Sequence, residues 1–224
     1  MYHSYWEVYS GMRKTHTAII AIAAALFGSF LWWYGGNGNK ISQEELDSFI
    51  NRLRNDGYSK DRFINTMLEI GERDDGKELY FVNLIKYKSK AEYQGGNKDY
   101  GDDPHDANKR YSEIVIPVLL KLGCHPVFIS KALTSIKMGS VTPVDWDDVA
   151  IVRYRSFRDF INFRDEVEAV DGFKHKKASV DMSEVHVVRV SFIFPFVKAI
   201  VGTVLFGAAF FLCNIIPPTL LDGF

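Results

Sequence analysis

Residues 79–88 read LYFVNLIKYK, a run free of glycine and proline in which half the side chains are β-branched or aromatic. Preceded by a turn at residues 73–76, RDDG, this composition is that of a strand. Strand alternation puts Tyr80, Val82 and Leu84 on one face and Phe81, Asn83, Ile85 and Tyr87 on the other. We expect the first set to meet helices and the second to line an interior.

Downstream, residues 91–110 form a polar insert rich in Gly and Asp. A helix is expected from about 107 to 122, apolar at Ile114, Val115, Val118, Leu119 and Leu122, kinked at Pro117 and ended at Gly123. Strands follow at 126–138 and at 149–154 (VAIVRY). A helix at 157–170 is apolar at Phe157, Phe160, Ile161, Phe163 and Val167, and a last strand covers 184–193. The order is β-α-β-β-α-β, an α+β class with the ferredoxin-like split βαβ arrangement. Two helices cover one sheet face, so a homodimer through the other face is expected.

Upstream, Ser42-Gln43-Glu44-Glu45 has the spacing of a capping box, followed by Leu46, Phe49, Ile50 and Leu53 on one helical face. Ser59 is placed to cap a second helix carrying Phe63, Ile64, Met67, Leu68 and Ile70, stopped by Gly71. We expect these two helices to be a preface to the domain.

Both ends of the chain are apolar. Residues 17–34, TAIIAIAAALFGSFLWWY, hold no charge and as a helix reach roughly 27 Å, close to the hydrocarbon thickness of a bilayer. The only small-x-small pair that a signal peptidase would need, Ala23 and Ala25, falls inside the run, so an uncleaved anchor is expected. A second run, AIVGTVLFGAAFFLCNII, ends at Pro217-Pro218, with Lys198 at its entrance. Small residues at Ala21/Ala25, Ala24/Gly28 and Thr203/Gly207 suit close helix packing. The expected organisation is a tail (1–16), a transmembrane helix (17–34), a tether (35–41), the α+β domain with its two preceding helices (42–193), a second transmembrane helix (195–216) and a tail (217–224). Arg13 and Lys14 favour a cytoplasmic N-terminus, whereas Arg189, Lys198 and the lysines at 174, 176 and 177 favour a cytoplasmic domain. The wider count tips slightly to a cytoplasmic domain.

Several stretches resemble an uncharacterised branch of the dimeric α+β-barrel superfamily. They are residues 81–87 with Ala91-Glu92-Tyr93, then Tyr111, Pro117 and Gly123, then Trp146-Asp147 leading to residues 152–156, then 157–163, and last His175-Lys176-Lys177-Ala178. The resemblance spans about residues 45–189. Cys124 stands where the family has a second glycine, and Lys176 where it has an arginine. The superfamily includes small monooxygenases, muconolactone-type isomerases and haem enzymes, but this branch implies no activity that can be carried over.

The candidate ligand-binding residues are Asn83, Arg153, Tyr154 and His175. An amide on an apolar strand face needs a hydrogen-bond partner, either a ligand or the protein itself. A buried Arg153 needs an acid or an anionic ligand. His175 has the chemistry of a general base or of a metal or haem ligand, and alternatively sits in a solvated basic turn. Asp102, Asp103, His105 and Asp106 offer oxygen and imidazole donors but lack a defined calcium-loop spacing; a solvated loop with a helix cap is the other reading. Cys124-His125 is no triad, and no motif names a cofactor.

Lys+Arg 27 against Asp+Glu 28 argues against nucleic acid as a partner. The partners expected are a second copy, the lipid bilayer and other membrane subunits. Two functions compete. One is an interaction or scaffold subunit of a membrane assembly. The other is a small oxidoreductase or isomerase acting on an apolar or aromatic molecule, with Asn83, Tyr154 and His175 converging on one cavity.

Overall fold

The computed structural model of the chain describes residues 2–36, 40–56, 59–96, 99–134, 136, 144–191 and 196–215. The middle of the expected tether, the end of the expected second strand, the link at 192–195 and the C-terminal tail lie outside them. The chain divides into two units.

One unit holds α1 (Tyr2–Tyr34) and α7 (Phe196–Ile215). The stretches Lys14–Tyr34 and Phe196–Ile215 are long and apolar enough to cross a membrane. Residues 2–16, expected as a tail, continue the first helix. The two helices meet through Phe27 and Phe206, whose rings lie edge-on at 5.8 Å, and through Gly202, where a Cβ would come within 3.3 Å of the Phe27 ring. Ala23 and Ala209 are buried. Gly28 and Gly207, expected at the packing face, instead look onto open space.

The other unit, residues 35–191, holds α2 (Gln43–Asn55), α3 (Asp61–Glu72), β1 (Leu79–Tyr87), α4 (Pro104–Lys121), β2 (His125–Lys131), β3 (Asp148–Tyr154), α5 (Phe157–Ala169), α6 (Phe173–Ser179) and β4 (Val180–Val188). It is a mixed α+β unit around a four-stranded sheet of order β2-β3-β1-β4, each neighbouring pair antiparallel.

Local chemistry accounts for most boundaries. The capping box of α2 is formed: Ser42 Oγ accepts from the Glu45 amide, and Glu45 Oε2 accepts from the Ser42 amide. Asp103 caps α4 with Pro104 in its first turn, which starts this helix three residues earlier than expected. Ser156 caps α5. Ser59 does not cap α3; its hydroxyl donates to Asp56 instead, and Lys60 holds the cap position. Nor does Gly71 stop α3. It lies inside the helix against Leu46, where a Cβ would fall 2.3 Å from a methyl carbon, so the glycine sets how closely α2 and α3 approach.

Leu46, Phe49, Ile50, Leu53, Ile64 and Met67 share one core with Leu79, Phe81, Tyr154, Phe157 and Phe160. The two leading helices are therefore part of the core and not a preface to it.

The faces of β1 are the reverse of the expectation. The Phe81 ring packs 4.6 Å from Phe160 on α5 and 4.9 Å from Tyr154, so the odd-numbered face meets the helices. In the register, Val82 aligns with Ile151 and His186, Leu84 with Val149 and Glu184, and Phe128 with Ile151. These side chains occupy the face away from the helices, where Phe128 is 49% exposed. Alternation fixes which residues share a face; it cannot say which face is covered when both are apolar.

Candidate functional site

Asn83 stands on the helix-side face of β1, and its amide is used inside the sheet. Nδ2 donates to the Phe81 carbonyl at 2.9 Å and to the Ala150 carbonyl at 3.2 Å. Tyr154, on the same face of β3, is enclosed by Phe81, Phe160 and Phe163 at 4.9, 5.2 and 5.5 Å between ring centroids. Burial raises the pKa of its phenol and keeps it neutral. Arg153, one position earlier, lies on the opposite face, aligned with Tyr80 and His125. It is 1% exposed, and its acid partner comes from the protein: Nε donates to Glu78 at 2.7 Å and Nη1 to the Gly123 carbonyl at 3.1 Å.

His175 belongs to α6, a short helix where a solvated basic turn was one of the two readings, and it is buried and not solvated. Its Nδ1 lies 2.9 Å from the Tyr93 hydroxyl. Tyr93 stacks on Tyr100 at 4.5 Å, and the Tyr100 ring stands edge-on to the imidazole at 5.2 Å. The polar insert is thus pinned by aromatic contacts, with Glu92 N donating to the Ala178 carbonyl and Lys88 N to that of Ser179. Burial lowers the His175 pKa, and the positive charges of Lys174 and Arg110 lower it further against the opposing pull of Asp171. Arg110 on α4 places its guanidinium carbon 5.9 Å from the Tyr100 ring centre, and Lys174 Nζ lies 5.7 Å from the same centre. Lys176 turns to Tyr111, with Nζ 5.6 Å from that ring, and burial lowers its pKa.

The four sequence candidates therefore fall in three separate surroundings: Asn83 in the strand ladder with Tyr154 in the adjoining core, Arg153 behind the sheet, and His175 under the insert. The residues around His175, namely Tyr93, Tyr100 and Arg110, were missed. Their one sequence signal is the pair of tyrosines in an otherwise polar insert.

The acidic stretch is structural in its contacts. Asp103 Oδ1 accepts from the amides of His105 and Asp106, Asp102 pairs with Lys90 at 3.2 Å, and the His105 ring lies 4.6 Å from that of Tyr87. Among the described residues, no three His, Cys, Asp or Glu side chains are gathered to hold a metal. Cys124 is buried, and desolvation pushes its thiol up to about 11, which removes it as a nucleophile at neutral pH. A groove of about 320 Å³ lies between α2 and α5, but its charges are already paired, Arg158 with Glu45 and Arg52 with Asp165.

No family model matches the chain, and no curated protein matches it. Among solved structures, it is similar to the RPA0582 protein of unknown function from Rhodopseudomonas palustris, at 19% identity and a TM-score of 0.50 over 58% of this chain and 94% of that one. The methylated RPA0582 protein matches at 20% identity and a TM-score of 0.47, over 58% and 92%. The likeness is one of fold.

Proposed function

We propose that the protein is a membrane-anchored interaction subunit whose α+β unit self-associates through its open sheet face, serving as a scaffold within a membrane assembly. The observation that carries this reading is the row Val82, Ile151 and Phe128, continued by Leu84 and Val149, on the face away from the helices. A sheet face of this composition is normally covered, and a second copy of the same face is the simplest cover. The ferredoxin-like assignment belongs to the same reading. Its support is the order β2-β3-β1-β4, with α4 linking β1 to β2 and α5 and α6 linking β3 to β4. Two further points support a membrane location: only 11% and 6% of the two apolar windows are buried by the protein, and Trp32 and Trp33 close the first of them. The basic residues Lys174, Lys176, Lys177, Arg189 and Lys198 support a cytoplasmic side for the α+β unit. The enzyme reading has less behind it, since Asn83, Tyr154 and His175 do not share one surrounding.

The test uses the full chain in phosphatidylcholine liposomes, with donor and acceptor dyes on Asp99→Cys, an exposed position of the insert. Energy transfer should exceed the level of random mixing and drop to it for Ile151→Lys. Transfer at the random level in the parent chain, or unchanged in Ile151→Lys, would defeat the proposal.

A further inference from the structure

Among the described residues, one buried side-chain nitrogen has no hydrogen-bond partner: Nη1 of Arg110. No described carboxylate lies within ion-pair distance of this guanidinium, and its neighbour is the Tyr100 ring. Arg110 as a whole is half-buried, but a guanidinium nitrogen enclosed without a partner is costly, and natural proteins hold such a group where an anion completes it. Its surroundings add positive charge. Lys174 lies on the same Tyr100 ring, its carboxylate partner among the described residues being the exposed Asp171 at 3.2 Å. His175 is the third member. The Tyr93 hydroxyl lies 2.9 Å from Nδ1, and in the tautomer in which it donates there the ring proton stands on Nε2 as a donor. Guanidinium, ammonium and imidazole N–H are the donor set that recognises a phosphoryl group: the guanidinium supplies paired N–H bonds, the other two supply charge.

We infer that Arg110, Lys174 and His175, gathered around Tyr100, form a binding site for a phosphate-type oxyanion. The site lies on the helix side of the unit and does not depend on the open sheet face, so it stands or falls separately from self-association.

The oxyanion has two possible sources, free phosphate and a lipid headgroup, and one experiment separates them. The full chain, with ¹³C-labelled histidine, is placed in phosphatidylcholine nanodiscs, and the His175 resonance is assigned from its loss in His175→Gln. Inorganic phosphate should raise the pH midpoint of His175 by about one pH unit, as an opposite charge within contact distance does. Calorimetry of the same samples should show saturable phosphate binding that Arg110→Met weakens roughly ten- to a hundredfold, the cost of a charged hydrogen-bond pair. Arg110→Met should change the melting temperature of the phosphate-free protein only slightly, because among the described residues the guanidinium has no ion-pair partner and the substitution removes only its contact with the Tyr100 ring. If phosphate has no effect but phosphatidylglycerol in the nanodisc shifts His175 in an Arg110-dependent way, the oxyanion is a headgroup. Absence of a shift with both probes, or a shift that survives Arg110→Met, would overturn the inference.

Discussion

The orientation of β1 decides how the whole unit is read, and replacing Phe81 with alanine tests it directly. Phe81 is 5% exposed, with its ring 4.6 Å from Phe160 and 4.9 Å from Tyr154. Truncating an enclosed phenylalanine costs about 3–5 kcal/mol, from lost transfer energy and from the cavity left behind. For a unit of this length each kcal/mol lowers the melting temperature by roughly 2–4 °C, so Phe81→Ala should lower it by about 6–20 °C. Its neighbour Val82 faces away from the helices and is only partly buried. Val82→Ala should cost less than about 1 kcal/mol. Both are best measured in the Ile151→Lys background, so that self-association does not enter, with the melting of the sheet followed by circular dichroism. Equal losses, or a larger loss for Val82→Ala, would refute the assignment of faces and with it the open sheet face.

Asn83→Leu should lower stability by about 1–2 kcal/mol, the worth of its two bonds to the Phe81 and Ala150 carbonyls, and urea titration should show this without any ligand present. A neutral or stabilising result would mean that those bonds carry nothing. His175 makes stability depend on pH. Its pKa is lowered in the folded state, so the unfolded chain binds the proton more tightly and acid favours unfolding. The full stability is present above about pH 6.5, the ordinary value, and is lost as pH falls below it toward the folded-state value. His175→Gln should flatten stability between about pH 6.5 and 5, a window above the ordinary range of the carboxylates. An unchanged slope in that variant would show that His175 is not the group responsible.

What was legible in the sequence was local. The Ser42–Glu45 box closes within one turn, and the 157–163 pattern places Phe157, Phe160, Ile161 and Phe163 against the sheet wherever the sheet lies. β4 was placed four residues late because its start, Val180-Asp181-Met182-Ser183-Glu184, lies on an edge strand and is mostly exposed, so it lacks the alternation of a covered strand. α6 has seven residues, three of them lysines, too few turns to show a stripe. Asn83 drew attention as an amide among apolar neighbours, yet its partners are carbonyls of its own ladder. The Tyr93–His175 pair joins residues 82 apart, and Arg110 reaches the same place from another helix. Such meetings depend on the packing of the insert on α6, which no spacing along the chain records.

The open face and the apolar helices bear on each other through energetics. Four strands of seven to nine residues present a face of roughly 20 by 25 Å, about 500 Å² in projection, at the small end for a stable interface between freely diffusing proteins. Five apolar side chains in a patch that small give little surplus over the entropy lost on association. Chains held at a bilayer surface have already lost most of that freedom, and tethered partners meet at effective concentrations of order millimolar. An interface worth only about 4 kcal/mol on the molar scale is half occupied under those conditions. On the proposed reading, anchoring would turn a face too weak to dimerise a dilute soluble protein into one that does so in the membrane. For the same reason Ile151→Lys, which would bury an unpaired charge in each copy of the proposed dimer, would need to remove only a few kcal/mol to empty it.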